Sequence, residues 1–156
     1  MKIIIPGSYD PVTLGHLDII KRAAEMYEEV YAVIFINPDK KYRFSKEDRL
    51  NMLKLATADI PNVTADASDG FVVEYMKNNG MEKIVKGYRN SLDLEYEKLQ
   101  ADYNFMAGGY ETELLQSGIE YEQISSSEVR RLLSEKEDYS KLVPRAVFEY
   151  IKQLGV

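Results

Sequence analysis

The chain contains no cysteine and only one histidine among its 156 residues. The absence of cysteine excludes a disulfide framework, a thiolate metal site and a cysteine nucleophile. No apolar run approaches the roughly 20 residues that a membrane span needs, so we expect no membrane partner. Met1 leads directly into a strand-like segment, which predicts a cytoplasmic protein without a signal peptide.

Positive charge is also in short supply. The 20 lysines and arginines face 26 aspartates and glutamates, which gives a formal net charge of −6. This balance argues against a nucleic acid as the main partner. A small anion needs only a local group of cations, and the candidates are Lys40, Lys41, Arg43, Arg49, Lys83, Lys86 and Arg89. With 45% hydrophobic residues and a length typical of one domain, residues 1–156 are predicted to form a single ordered domain.

The first sixteen residues predict a buried strand, a tight turn and the start of a helix. A β-branched run at residues 3–5 is broken at once by Pro6 and Gly7. From Leu17 onward the apolar residues recur at helical spacing, which places His16 in the first turn of a helix. The unpaired N–H groups of such a turn favour an anion, and Ser8 and His16 add side-chain donors. A lone histidine at this position is also compatible with a simple capping or packing role.

The rest of the chain alternates between strand and helix patterns. Strands are expected at residues 2–5, 30–36, 62–65, 82–85 and 111–115. Cap signals accompany the helices: Asp69 is expected to cap the third helix, Ser125 and Glu128 to form a capping box, and Pro144 to start the last helix. The alternation predicts an α/β fold with a doubly wound parallel sheet, whose ligands bind at the carboxyl ends of the strands.

Five short motifs resemble those of one enzyme family. Residues 6–16, PGSYDPVTLGH, resemble the (H/T)xGH signature of the nucleotidyltransferase superfamily in the form found in bacterial phosphopantetheine adenylyltransferases. The run ISSS at residues 124–127 is similar to the second phosphate motif of that superfamily. Residues 37–44 match NPxKKxxF, residues 86–89 resemble RGLR with Lys86 in the place of arginine, and residues 93–97 resemble DFEYE. The resemblance extends over essentially the whole chain.

The resemblance implies a Rossmann-like fold and the transfer of AMP from ATP to 4'-phosphopantetheine. It implies catalytic roles for Ser8, His16 and Lys40, and acceptor contacts from Ser8, Lys40, Val72 and Lys86. The residues it implies for ATP binding are Ser8, Tyr9, His16, Gly87, Tyr88, Arg89, Glu97, Tyr121, Ile124, Ser125, Ser126 and Ser127. Magnesium is expected as the counterion of ATP, without a metal site of the protein's own, and the family's homohexamer is the expected assembly.

Two alternatives stay open from the sequence. A relative that adenylylates nicotinamide mononucleotide or cytidylylates a polyol phosphate needs another acceptor pocket and usually has HxGH, where this chain has Thr13 to His16. A nucleotide-binding regulator without turnover is the other alternative, and release of pyrophosphate distinguishes it from an enzyme.

Overall fold

A computed structural model describes all residues, Met1–Val156. Five strands are present: β1 (Lys2–Gly7), β2 (Glu29–Phe35), β3 (Val63–Ser68), β4 (Lys83–Tyr88) and β5 (Thr112–Gln116). Six α-helices accompany them: α1 (Leu14–Met26), α2 (Lys46–Thr57), α3 (Val72–Asn79), α4 (Ser91–Gly108), α5 (Ser126–Ser134) and α6 (Arg145–Leu154). A single 3₁₀ turn, Ile119–Tyr121, follows β5.

The strands form one parallel sheet in the order β3-β2-β1-β4-β5. This arrangement confirms the predicted α/β class and the doubly wound sheet. The chain moves outward in one direction from β1 to β3 and in the other from β4 to β5. The connections therefore diverge between β1 and β4. The carboxyl ends of these two strands border the crevice in which open sheets of this type bind ligands.

Both faces of the central strand are buried, as its continuous β-branched run requires. Ile3 and Ile5 belong to the larger core, which α1, α2, α5 and α6 cover. Ile4 points to the opposite face and packs with Tyr75 and Met76 of α3. The alternation along β1 therefore builds two cores on opposite sides of one sheet.

Three local predictions need correction. β4 extends to Tyr88 instead of ending at residue 85, because residues 84–88 pair with β5 along their whole length. Asp69 does not cap α3: the N-cap is Phe71, which makes no side-chain cap bond, and Asp69 instead accepts from Lys46 at 3.1 Å. Ser125 does cap α5, but the reciprocal bond from Glu128 is missing because that carboxylate accepts from Arg131 at 3.1 Å.

Candidate active site

A cleft of about 440 Å³ opens at the carboxyl ends of β1 and β4. Its walls come from the turn after β1, the start of α1, the end of β4, the loop after β2 and the start of α5. The predicted site residues that line it are Ser8, Tyr9, His16, Lys40, Lys86, Gly87, Tyr88, Arg89, Ile124, Ser125, Ser126 and Ser127. Residues that are more than a hundred positions apart in sequence thus share one cavity.

His16 is held by a capping box at the start of α1. The N–H of Thr13 donates to Nδ1 of His16 at 3.0 Å, and Oγ1 of Thr13 accepts from the N–H of His16 at 3.3 Å. An imidazole nitrogen that accepts a hydrogen bond carries no proton, so the proton of the neutral ring lies on Nε2. The cap therefore leaves Nε2–H as the free donor of the His16 side chain.

The surroundings of His16 keep its ring neutral. Burial lowers the pKa of His16 from 6.5 to about 4, and the positive charges of Lys86 and Arg89 act in the same direction. His16 is partly buried, and Lys86 and Arg89 line the same cleft. At neutral pH the cleft thus contains a hydrogen-bond donor without a titrating charge.

Tyr9 forms the floor of the cleft beneath His16. Its side chain is 2% exposed, its hydroxyl donates to the carbonyl of Ile5 at 2.8 Å, and its ring centroid lies 4.9 Å from that of His16. Its φ of 47° lies in the left-handed region, which is strained for a non-glycine residue. The Tyr9 ring is therefore enclosed, and its hydroxyl is already engaged within the protein.

Lys86 lies on β4 between two groups of the protein. Its Nζ donates to the carbonyl of Pro6 at 3.1 Å and pairs with Oε2 of Glu97 at 3.3 Å. Glu97 is buried and does not line the cleft itself. Lys86 and Glu97, for which the resemblance implied separate substrate contacts, are therefore partners of each other.

The other side of β4 presents Arg89 and Gly87. The guanidinium of Arg89 pairs with Asp93 in the first turn of α4 at 3.1 Å, and Asp93 also accepts from the backbone N–H of Arg89. A Cβ at Gly87 would lie 2.5 Å from Cγ1 of Ile19 on α1. Gly87 thus permits the close approach of α1 to the sheet, in addition to any contact with a nucleotide.

Lys40 enters the cleft from the loop between β2 and α2. Its side chain is exposed, and Nζ lies 5.4 Å from the centroid of the Tyr42 ring. No carboxylate pairs with it within 4.0 Å. Its charge is therefore available to an anion in the cleft.

The serine run forms the start of α5, and all three hydroxyls are engaged within the protein. Ser125 accepts from the N–H of Glu128 at 3.1 Å, Ser126 donates to the carbonyl of Pro11 at 2.7 Å, and Ser127 accepts from Arg130 at 3.0 Å. The N–H groups of the first helical turn have no partner within the helix. Only the Ser126 hydroxyl ties the helix start to the turn after β1, since Ser125 and Ser127 bond within α5. Free N–H groups at such a helix start can accept an anion.

Proteins of similar sequence point to one family. Residues 4–132 match the model of the cytidylyltransferase-like family. Phosphopantetheine adenylyltransferase of Symbiobacterium thermophilum is 48% identical over 133 residues, which are 85% of this chain and 82% of that protein. The enzyme of the same name from Clostridium novyi is 39% identical over 154 residues, 97% of this chain and 96% of the relative.

The chain belongs to the phosphopantetheine adenylyltransferase family. The predicted resemblance and the predicted enzyme class, a nucleotidyltransferase, are thereby confirmed. The individual roles of the site residues stay predictions.

Three of the predicted residues lie outside the walls of the cleft in this family member. Glu97 lies behind Lys86, as described above. Val72 is the first residue of α3 and packs at the edge of the smaller core. Tyr121 ends the 3₁₀ turn that precedes α5, and it approaches the chain near Gly15.

Two residues of the site escaped the sequence analysis. Asp10 is 3% exposed and accepts from the N–H groups of Arg43 and Phe44 at 2.9 and 3.0 Å. Arg130 lines the cleft and donates to the carbonyl of Asp10 at 2.8 Å. The spacing of Arg130, three residues after Ser127 on a helix, was a signal for it. No sequence signal indicated that Asp10 joins two loops that are distant in sequence.

The side chains of the cleft offer no cage for a metal ion. Nowhere in the chain do three or more histidine, cysteine, aspartate or glutamate side chains converge in a way that would hold a cation. None of the helices combines the length and the apolar character that crossing a bilayer demands.

Proposed function

We propose that the protein transfers AMP from ATP to 4'-phosphopantetheine and releases dephospho-coenzyme A and pyrophosphate. The names of its relatives support this reaction. The observation that carries it is a single cleft in which a neutral imidazole donor, two helix N-termini and four cationic side chains converge. Such a set of donors suits a substrate pair with several phosphate groups.

The chemical step needs no covalent intermediate on the protein. An oxygen of the acceptor's phosphate attacks the α-phosphorus of ATP, one P–O bond forms, and the bond from the α-phosphorus to the bridging oxygen breaks. The electron pair of that bond leaves with pyrophosphate. The acceptor phosphate is already an anion, so the protein contributes positioning and charge stabilisation rather than a general base.

We place His16 and Ser8 at the reacting centre. Nε2–H of His16 donates to an oxygen of the α-phosphate, on which negative charge develops as the transition state forms. A neutral imidazole is suited to this role, because its N–H donates a hydrogen bond without transferring its proton to the phosphate. Thr13 keeps this nitrogen protonated by occupying the other one.

We assign Lys40 and Lys86 to the phosphate of the acceptor. Lys40 has no carboxylate partner, whereas Lys86 must share its ammonium group between Glu97 and the ligand. Lysine offers three freely rotating donors, so it can hold Glu97 and a phosphate at the same time. The family resemblance also implies a backbone contact from Val72, at the start of α3, to the pantetheine arm.

We assign the β- and γ-phosphates to Arg89, Arg130 and the start of α5. Arg130 already donates to the carbonyl of Asp10 in the turn after β1, and Ser126 donates to the carbonyl of Pro11 in the same turn. The N–H groups of α5 therefore lie at a fixed distance from His16. Gly87, Tyr88 and Ile124 line the part of the cleft that we assign to the adenosine.

Magnesium belongs to the substrate in this proposal. It enters with ATP, whose phosphates and bound water supply its ligands. No step of the transfer is assigned to a metal site of the chain.

We propose that a second copy of the chain covers α4. Its exposed apolar residues repeat at intervals of four and three and so form one stripe, Leu92, Tyr96, Leu99, Tyr103 and Met106. Leu99 is 68% and Met106 87% exposed. Such spacing is typical of helix-to-helix contacts, and Tyr96 connects the stripe to the cleft. The family resemblance implies that this assembly is a homohexamer, and a cytoplasmic location stays a prediction.

The experiment that tests the function measures pyrophosphate release from MgATP with three acceptors in parallel: 4'-phosphopantetheine, nicotinamide mononucleotide and glycerol 3-phosphate. We expect release with 4'-phosphopantetheine only, and its loss in the matched variant His16→Ala. Release with another acceptor alone would assign the chain to a different acceptor. Nucleotide binding without any release would identify a regulator.

A further inference from the structure

Arg49, in the first turn of α2, is a buried cation that the reaction described above does not use. Its side chain is 2% exposed, which makes it the largest fully buried side chain of the protein. No carboxylate oxygen lies within 4.0 Å of its guanidinium group. A charge in such a place lowers stability unless its hydrogen bonds are satisfied, so a leucine or methionine would serve a purely structural purpose better.

The contacts of Arg49 join two loops of the cleft. Its Nη1 donates to the carbonyl of Ser8 at 3.1 Å, in the turn after β1. Its Nε donates to the carbonyl of Phe44 at 3.1 Å, at the end of the loop after β2. The planar guanidinium also lies over the ring of Tyr42, 4.0 Å from its centroid. One side chain therefore fixes the backbone on both sides of the cleft floor.

Tyr42 extends this contact toward Lys40. The hydroxyl of Tyr42 accepts from the N–H of Asn37 at 2.8 Å, which closes the loop that carries Lys40. The Tyr42 ring thus connects Arg49 to the backbone of the loop that carries Lys40. A displacement of the guanidinium would move Lys40 relative to Ser8.

Asp10 joins the same two loops from the opposite direction. Its carboxylate belongs to the first turn and accepts from the N–H groups of Arg43 and Phe44, in the second loop. The carboxylate of Asp10 joins the loops but makes no bond to the peptide between Ser8 and Tyr9. The bond from Arg49 to the Ser8 carbonyl restrains this peptide, next to the strained backbone of Tyr9.

We propose that Arg49 is a positioning residue for adenylyl transfer, which sets the distance between the Ser8 turn and the Lys40 loop. The inference rests on the proposed function for the identity of the reaction, but not for the contacts. Ser8 lies at the reacting centre and Lys40 on the acceptor, so Arg49 governs the approach of the acceptor to the α-phosphorus. The triphosphate is held on the other side of the cleft and does not depend on it.

The test compares Arg49→Lys with a control variant on the same helix, Thr57→Ala. Lysine keeps the charge but cannot hold two carbonyls in one plane or stack on Tyr42. Thr57 is 5% exposed and donates to the carbonyl of Leu53 at 2.9 Å, far from the cleft loops, so its loss affects stability alone. Melting temperature, kcat and KM for both substrates are measured for each variant.

We expect Arg49→Lys to lower kcat by about tenfold or more and to raise KM for the acceptor, with KM for ATP within about twofold of the original value. Thr57→Ala should lose thermal stability with little change in either constant. If Arg49→Lys keeps the kcat of the original protein, or if both variants change the kinetics alike, Arg49 is only structural and the proposal is wrong.

Hydrogen exchange of the ligand-free protein gives a second, independent measurement. Arg49→Lys should accelerate exchange at residues 8–10 and 37–44 relative to Thr57→Ala. Equal exchange in both variants would overturn the positioning role, whatever the kinetics. If the original protein releases no pyrophosphate with 4'-phosphopantetheine, the proposed function fails, and the exchange experiment still decides the role of Arg49.

Discussion

The two nitrogens of His16 have different tasks. Nδ1 completes the cap of α1 by accepting from Thr13, and Nε2 is left to face the cleft. The same bond thus stabilises a helix and selects the tautomer. A site that depends on a neutral donor gains from this arrangement, because the orientation and the protonation of the ring are fixed before any substrate binds.

Replacement of His16 by alanine should lower turnover by about two orders of magnitude or more, since loss of one donor to a developing charge costs on the order of 3 kcal/mol. The fold should persist, because Thr13 still caps α1 through its hydroxyl. Steady-state kinetics and circular dichroism measure the two effects separately. Turnover close to that of the original protein would remove His16 from the reacting centre.

The pKa of His16 should be about 4 in the folded protein. Since the chain has no other histidine, ¹⁵N-detected NMR of the imidazole is free of overlap. We expect the Nε2–H tautomer and no titration between about pH 5 and 7. A midpoint near 6.5 would show that neither burial nor the neighbouring cations act on the ring.

The same shift affects stability. Between about pH 4 and 6.5 the unfolded chain binds a proton at His16 that the folded chain does not bind. The free energy of unfolding should therefore decrease as the pH falls through this window. The variant His16→Gln removes the titrating group, so its denaturant midpoint should depend less on pH over the same range.

Among the elements, α1 and β4 show how close packing shapes the site. Their approach at Gly87 brings the start of α1, with His16, next to Lys86 and Arg89 at the end of β4. The distance between these elements determines how strongly the two cations act on the imidazole. A glycine that looks like a ligand contact in the sequence thus also sets the electrostatics of the cleft.

Gly87→Ala should destabilise the protein by about 1–3 kcal/mol, because the added Cβ would overlap Ile19. Chemical denaturation measures the loss. Gly70→Ala is the matched control, since a Cβ there meets only side-chain oxygens of Glu74 and Ser68, at 3.4 and 3.7 Å. Gly87→Ala should cost less stability in a protein that already carries Ile19→Ala, because the obstructing side-chain atoms are gone. Equal costs in the two backgrounds, a purely additive pair, would contradict the steric explanation.

The elements themselves were predictable where a local signal decided them. The burial of β1 follows from its β-branched run, and the start of α5 follows from Ser125. The length of β4 did not follow, because its last residues are held by pairing with β5 rather than by their own propensity. The same holds for Asp10 and Arg49, whose partners belong to loops that meet only in the folded chain.

At the scale of the whole molecule, the stripe on α4 is an exposed apolar surface that no other part of the chain covers. Leu99→Glu and Met106→Glu should each dissociate the assembly, since two copies would face each other with buried carboxylates. Sedimentation velocity measures the change in mass. Leu55→Glu on α2, 44% exposed and outside the stripe, should leave the assembly intact. An original protein that sediments as a monomer would contradict the proposed contact.

The segment between β1 and α1 is held in place by hydrogen bonds to the last third of the chain. The N–H of Leu14 donates to the carbonyl of Leu142, Ser126 binds Pro11, and Arg130 binds Asp10. During synthesis, a ribosome that has released only the first βαβ unit presents His16 and Lys40 without α5, to which we assign the triphosphate. We therefore expect the nascent chain to acquire its full affinity for nucleotide late, when α5 and the segment around Leu142 have emerged and docked.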